Sequence, residues 1–287
     1  MIGKAGLIRA WSRLRLLGAA GAVTVVVLAS AISPTPGRAS DLACGNDRLS
    51  LTRPSAFRLL SDTLTAGKPV RLLAIGSSST QGAGASGPDH AYPAQLEREL
   101  RSAWRGRRID VLNAGIGGET ADQTLARLER LMAEPAKPAL VLWQVGTNDA
   151  LRGGDEGQFR SLLERGIALV RAAGSDLVIV DQQFFPKIGD LRQYERYVAL
   201  VTTVAGEHSV PVFPRYKLMK LWAERDPALL GRMLSADSFH MGDLGYHCLA
   251  DALGRSVTEG VDRTMRTRGI VGEPLSAPAA ALAEIRG

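Results

Sequence analysis

Histidine and cysteine are scarce in this chain. Its 287 residues hold four histidines, His90, His208, His240 and His247, and two cysteines, Cys44 and Cys248. A metal centre would have to draw on Asp237, His240, Asp243 and His247, yet no further ligand clusters with them. The pattern also puts His240 ahead of the last helix and His247 inside it, so a metal-dependent hydrolase is set aside and no metal is expected. A surplus of one charge is missing as well. The whole chain carries +6, but Lys4, Arg9, Arg13, Arg15 and Arg38 fall in the first 39 positions with no acid among them, and residues 40–287 are net +1. A body that close to neutral offers no electrostatic footprint for nucleic acid. No internal repeat is visible. A dinucleotide site is excluded too, although Gly82-Ala-Gly84-Ala-Ser-Gly87 spells its fingerprint. Six residues separate Ile75 from Gly82, Pro88 follows the last glycine, and Asn113 stands where an acid should end the second strand. No cofactor is expected.

The basic residues at the start are succeeded by Leu16 to Ile32 without a charge, then by Pro34, Pro36 and Gly37. Small residues at Ala29-Ser30-Ala31 and Gly37-Arg38-Ala39 complete the layout of an export signal over residues 1–39. An uncleaved anchor is the alternative, at the short edge of the ~17–25 residues that span a bilayer, and would be the chain's membrane contact. A twin-arginine signal is absent, because Leu14 separates Arg13 from Arg15. Both readings export the body, to the periplasm or the outside, where cysteines oxidise. Cys44 lies near the mature start and Cys248 in the last expected helix, so a bridge between them would tie the two ends together. A lipoprotein reading of Cys44 fails, since Asp41 stands where such motifs want leucine.

From residue 70 the pattern alternates. Val70–Ile75, Ile109–Leu112, Ala139–Val145, Leu177–Val180 and Val210–Phe213 read as short apolar strands, and Gln144 is the polar exception in the third. Between and after them, 92–104, 121–132, 159–173, 191–207 and 242–257 carry helical spacing, with Leu96, Leu100 and Trp104 four apart in the first. Strands separated by helices of this length give an α/β fold: one parallel sheet with helices on both sides. The domain is expected over 45–258, with a weakly ordered tail over 259–287.

In such a sheet, ligands gather at the carboxyl ends of the strands. Four polar signals lie just there or in a late loop: Gly76-Ser77-Ser78-Ser79-Thr80, Asn113-Ala-Gly115-Ile-Gly117-Gly118, Gly146-Thr147-Asn148-Asp149 and Asp237-Ser-Phe-His240. Each alone reads as an ordinary turn, cap or local hydrogen bond. Together, in this order, they resemble the SGNH hydrolases, also called the GDSL esterase/lipase family, over roughly residues 70–255. The other serine hydrolase signature, G-x-S-x-G, is broken by Thr80 in place of its last glycine.

The resemblance implies a flavodoxin-like three-layer α/β/α fold and a serine esterase site with Ser78 as nucleophile, His240 as base and Asp237 as the acid that orients it. It also implies an oxyanion hole made of the backbone N–H of Ser78, that of Gly115 and the side-chain amide of Asn148. This chain departs from the family at Ser77, usually Asp, at Ser79, usually aliphatic, and at Met241, where proline is frequent. Phe184 and Phe185, in the apolar loop 182–190, are candidates to line an acyl pocket, as is Trp143, although all three also read as core. The expected activity is hydrolysis of a carboxylic ester, either a small-molecule ester or an O-acetyl group on a carbohydrate. A lysophospholipase or thioesterase of the same family is the alternative, and a non-catalytic exported binding domain is the rival that keeps the fold without turnover.

Overall fold

The structure is a computed structural model and describes residue 44, residues 49–53 and residues 57–270. The expected export signal and most of the expected tail lie outside the described residues. Five strands form the sheet: β1 (Val70–Gly76), β2 (Ile109–Gly115), β3 (Leu140–Gln144), β4 (Asp176–Val180) and β5 (Val212–Phe213). Every pairing is parallel and the spatial order is β2-β1-β3-β4-β5. The sheet therefore changes winding direction between β1 and β3, which is where an open α/β sheet leaves a crevice at its carboxyl edge.

Past the exposed Arg71, the apolar runs of β1 and β3 are continuous because both faces of these central strands are covered. Val70, Leu72 and Ala74 belong to one core and Leu73 and Ile75 to the other; Leu140 and Leu142 divide from Val141 and Trp143 in the same way. The first core is closed by helices over Arg58–Thr65, Tyr92–Ala103, Arg215–Arg225, Pro227–Met233 and Asp243–Thr267. The second is closed by helices over Ala121–Ala133, Glu156–Ala172 and Leu191–Glu207. Trp143 is wholly in that second core. Its indole donates to Thr124 Oγ1 at 3.2 Å, and Gly166 faces it so closely that a Cβ there would lie 2.2 Å from the ring. It lines no pocket.

Strand β2 is an edge, and an exposed edge invites pairing with another chain. Here side chains of the 92–103 helix cover it: Val111 N–H donates to Glu97 Oε2 at 2.7 Å, and Arg101 Nε donates to the carbonyl of Ile109 at 2.9 Å.

Several elements differ from expectation. The last helix does not stop at residue 257 but continues to Thr267, with Val261 and Met265 still buried. The apolar spacing there is interrupted by charges on its outer face, which hides the continuation in the sequence. The helices at 215–225 and 227–233 are not legible either, because the first begins with a fully buried arginine, Arg215, where the pattern asks for an apolar residue. Arg215 Nε donates to the carbonyl of Asp181 at 2.9 Å, and burial pushes the Asp181 carboxyl up to about 7 against the pull of Tyr216 N–H and of Arg215 itself. The helix at 147–152 is short and comes directly after the third polar signal begins.

Cys44 and Cys248 are joined in a disulfide, with Cα atoms 5.3 Å apart and 204 residues between them in sequence. Closing so long a loop constrains the unfolded chain, by about 5 kcal/mol in the chain-entropy limit. Cys248→Ala is therefore expected to lower the melting temperature by about 10–20 °C, at ~2–4 °C per kcal/mol for a domain of this size. Thermal denaturation with and without reductant checks this; identical curves would mean the bridge contributes nothing.

Candidate active site

All four polar signals fall at or beside the β1/β3 crevice. Strand β1 ends at Gly76, and the chain turns at once into a one-turn helix over Ser78–Gln81, closed by Gly82 in a left-handed conformation (φ 104°). Strand β2 ends at Gly115, β3 leads through Gly146 (φ 99°) into Thr147–Arg152, and the fourth signal is a loop before the last helix. That loop is pinned at its neck: Leu234 and Met241 bridge antiparallel, and Ser235 N–H donates to the carbonyl of His240 at 2.8 Å. Met241, where the family favours proline, is the buried anchor of this neck.

Within the loop, Ser238 adopts φ 56°, which folds the chain back so that Asp237 and His240 face each other. Asp237 Oδ1 accepts three hydrogen bonds, from Ser235 Oγ (2.7 Å), Phe239 N–H (2.9 Å) and His240 N–H (2.9 Å). The other oxygen, Oδ2, lies 2.6 Å from His240 Nδ1. Partial burial pushes the Asp237 carboxyl up, but these bonds, the imidazole's first, outweigh it and hold it well below the usual carboxylate range. An ionised carboxylate only accepts, so the imidazole proton sits on Nδ1 and leaves Nε2 as an acceptor. Nε2 lies 2.9 Å from Ser78 Oγ, the geometry for the hydroxyl to donate to it. The chain thus brings together Ser78, His240 and Asp237, the first two 162 residues apart in sequence and the last two 3 apart.

The serines on either side of Ser78 are committed elsewhere. Ser77, where the family has Asp, donates from its N–H and its hydroxyl to Gln144 Oε1 at 2.9 and 3.1 Å, and Thr80 Oγ1 donates to the same oxygen at 3.1 Å. The polar exception in strand β3 is thereby explained: Gln144 supplies the acceptor that pins the turn. Ser79 donates to Gln183 Oε1 at 2.7 Å.

Of the expected oxyanion donors, two are available. The N–H of Ser78 makes no hydrogen bond to the protein among the described residues. One proton of the Asn148 amide goes to the carbonyl of Glu119 (2.7 Å), which orients the group and leaves the second proton over. Gly115 is a correction. Its N–H is taken by Asn113 Oδ1 at 3.0 Å, and the close approach that demands glycine there is made by the turn that carries Ser78, since a Cβ would lie 2.0 Å from Gln81 N. The adjacent Asp149 is not at the reaction centre; its Oδ1 caps the helix at Ala121 N–H (2.9 Å).

A residue unmarked in the sequence ties the turns together. Arg127 donates to the carbonyls of Ala114 (2.7 Å) and Gly76 (3.2 Å) and grips the Glu119 carboxylate at 2.9 Å through Nε. This pair is only 13% exposed on either side, so the ends of β1 and β2 and the peptide that orients Asn148 are held by one guanidinium. Arg127 reads as a surface residue of an amphipathic helix, and nothing in the local pattern marks it.

The candidate pocket aromatics pack against neighbouring rings. Phe185 is buried, with its ring 4.7 Å edge-on from Phe239, which in turn lies 4.6 Å from the His240 ring. Phe184 is half-buried and packs edge-on against Tyr216 at 5.7 Å. Through Phe239, Phe185 buttresses the loop that carries His240. Among the described residues, no group of three or more His, Cys, Asp or Glu side chains is arranged to hold a metal ion.

A five-stranded parallel sheet of this order brings Ser78, His240 and Asp237 together at its crevice. Residues 43–263 match the model of the Non-GDSL lipase-like family. The esterase TesA of Pseudomonas aeruginosa is 32% identical over 59% of this chain and 78% of its own length. The thioesterase 1/protease 1/lysophospholipase L1 of Escherichia coli is 32% identical over 53% of this chain and 69% of its own. A TesA crystal structure superposes with a TM-score of 0.56 at 27% identity, covering 66% of this chain and 99% of that one. The chain belongs to the Non-GDSL lipase-like family, within the SGNH hydrolases, and is a hydrolase of ester bonds.

Proposed function

We propose that the protein is an exported serine esterase that works through an acyl-enzyme at Ser78. The observation that carries this reading is the continuous chain Ser78 Oγ, His240 Nε2, Asp237 Oδ2, with links of 2.9 and 2.6 Å. A free serine hydroxyl is a weak nucleophile and needs an adjacent base. His240 takes its proton as Oγ attacks the ester carbonyl, and the carbonyl electrons move onto oxygen. The oxyanion is met by the Ser78 N–H and the spare Asn148 proton. In place of Gly115, the turn at Gly117–Gly118 supplies the third donor: neither N–H is hydrogen-bonded to the protein among the described residues, and a methyl on Gly117 would lie only 3.9 Å from Ser78 Cβ. Collapse of the tetrahedral intermediate breaks the bond to the alcohol, which leaves with the proton from His240. Water, deprotonated by the same imidazole, then attacks the acyl-enzyme and restores Ser78.

The substrate favoured is an ester with an apolar acyl chain rather than an acetylated sugar. Three of the four exposed large apolar side chains among the described residues, Ile116, Leu151 and Leu191, stand on the segments that come after β2, β3 and β4, the same edge as Ser78. The curated relatives at 32% identity, an esterase and a thioesterase/lysophospholipase, support an acyl ester. Export is supported by the layout of residues 1–39 and by the Cys44–Cys248 bridge, which persists in an oxidising compartment. A series of p-nitrophenyl esters run beside acetylated sugars tests the substrate: kcat/KM is expected to rise from acetyl to medium chains, and faster release of acetate from sugars would overturn it. Asn148→Ala is expected to lower kcat about 10²–10³-fold, the usual effect of losing one oxyanion donor, with little change in KM. An effect confined to KM would remove Asn148 from that role.

A further inference from the structure

We infer that Gln183 is a positioning residue that sets the distance between the Ser78 hydroxyl and the His240 imidazole; this rests on the triad reading above and deepens it. Gln183 is fully buried. Its Oε1 accepts from Ser79 Oγ at 2.7 Å, and its Nε2 donates to the carbonyl of Phe239 at 3.0 Å. Ser79 directly follows Ser78, and Phe239 directly precedes His240. One planar amide therefore spans the two segments that carry nucleophile and base, 104 residues away from one and 56 from the other.

An amide suits this place because it carries an acceptor and a donor on one rigid group. A carboxylate would accept from Ser79 but repel the Phe239 carbonyl, and an aliphatic side chain would leave the buried Ser79 hydroxyl and the part-buried Phe239 carbonyl without this partner. Gln183 is itself fixed: its backbone carbonyl accepts the Tyr194 hydroxyl at 2.7 Å, and Tyr194 packs edge-on against Phe185 at 6.0 Å. The Phe185, Phe239 and His240 rings then stack edge to face at 4.7 and 4.6 Å, so the amide and the aromatic row press on the same loop. The link depends on a hydroxyl at position 79, which makes Ser79 a functional departure from the aliphatic residue usual in the family.

Displacement of a reacting group by about 1 Å costs on the order of 100-fold in rate. Steady-state kinetics on a medium-chain p-nitrophenyl ester with the full chain test the inference. Gln183→Met, close in volume but without either bond, is expected to lower kcat about 10–100-fold while KM stays within about twofold. Ser79→Ala, which only removes an atom and keeps the inference testable if the methionine variant does not fold, is expected to lower kcat in the same direction. The double variant should lose no more than the weaker enzyme of the two, because both changes break one link. Wild-type kcat in Ser79→Ala and Gln183→Met, losses that simply multiply, or a change in KM alone would overturn the inference. Ser78→Ala measured alongside separates the two levels. Turnover retained there overturns the triad itself, whereas an inactive Ser78→Ala beside fully active Gln183 and Ser79 variants overturns only the positioning role.

Discussion

Ser78→Ala is expected to reduce ester turnover by about 10⁴–10⁶-fold, leaving the small residue of catalysis that an oxyanion hole and binding supply without a nucleophile. The loss should be this large because no neighbour can stand in. The hydroxyl of Ser77 is spent on Gln144 at 3.1 Å and that of Ser79 on Gln183 at 2.7 Å, both buried. Ser78 itself is half-buried and its hydroxyl is bonded only to His240 among the described residues, so its removal strands no core group and folding should be retained. Hydrolysis of a p-nitrophenyl ester, with circular dichroism as the folding control, checks the expectation. Turnover within tenfold of wild type would move the chemistry to another residue.

Asp237→Asn is expected to lower kcat by about 10⁴-fold, the scale seen when a triad acid is neutralised without a change of shape. The direction of the effect comes from the loop. Three donors, Ser235 Oγ and the N–H groups of Phe239 and His240, converge on Oδ1, so an asparagine must keep its carbonyl oxygen there. Its NH₂ then faces His240 Nδ1 and forces that nitrogen to accept. The ring proton moves to Nε2 and points at Ser78, where a base is needed. In the wild type, Asp237 stays ionised through the working pH range, because its hydrogen bonds hold it below the usual carboxylate range despite partial burial. Any loss of activity on the acid side should accordingly not follow protonation of this carboxylate. For a depressed carboxyl the linkage sign is fixed: the contribution to stability is present above the unfolded value of about 3.9 and is lost as pH falls toward the folded one. A loss of less than tenfold in Asp237→Asn would mean that another acid orients His240.

The strands and the larger helices are legible in the sequence because two buried faces leave no room for polar residues, so the apolar runs announce themselves. The meeting of Ser78, His240 and Asp237 is legible for a different reason: short polar turns survive in sequence as spelled blocks. Hydrogen bonds between the blocks leave no such trace. Gly115 illustrates this. Its lack of a side chain does signal a close approach, yet the close neighbour is Gln81 and not a substrate. Gln144 stands out as a polar residue in an apolar strand, and Gln183 as half of a buried Gln-Gln pair after β4, but their partners lie 64–67 and 56–104 residues away. Arg127 and Arg215 are illegible, since a charged residue on a helix reads as solvent-facing until the fold brings carbonyls to it. The aromatic pair Phe184 and Phe185 marks an apolar loop near the site, where Phe185 packs on Phe239 of the loop that carries His240 and Phe184 packs on Tyr216.

The central claim is that Ser78 becomes acylated, and the most direct measurement is covalent trapping. The full chain, treated with a p-nitrophenyl alkylphosphonate that mimics the tetrahedral intermediate, should release one equivalent of p-nitrophenol as activity is lost. Peptide mass analysis should then find the phosphonyl group on Ser78, with no labelling in Ser78→Ala. Stoichiometric inactivation with the adduct on any other residue, or full activity after exposure with no adduct at all, would contradict the account.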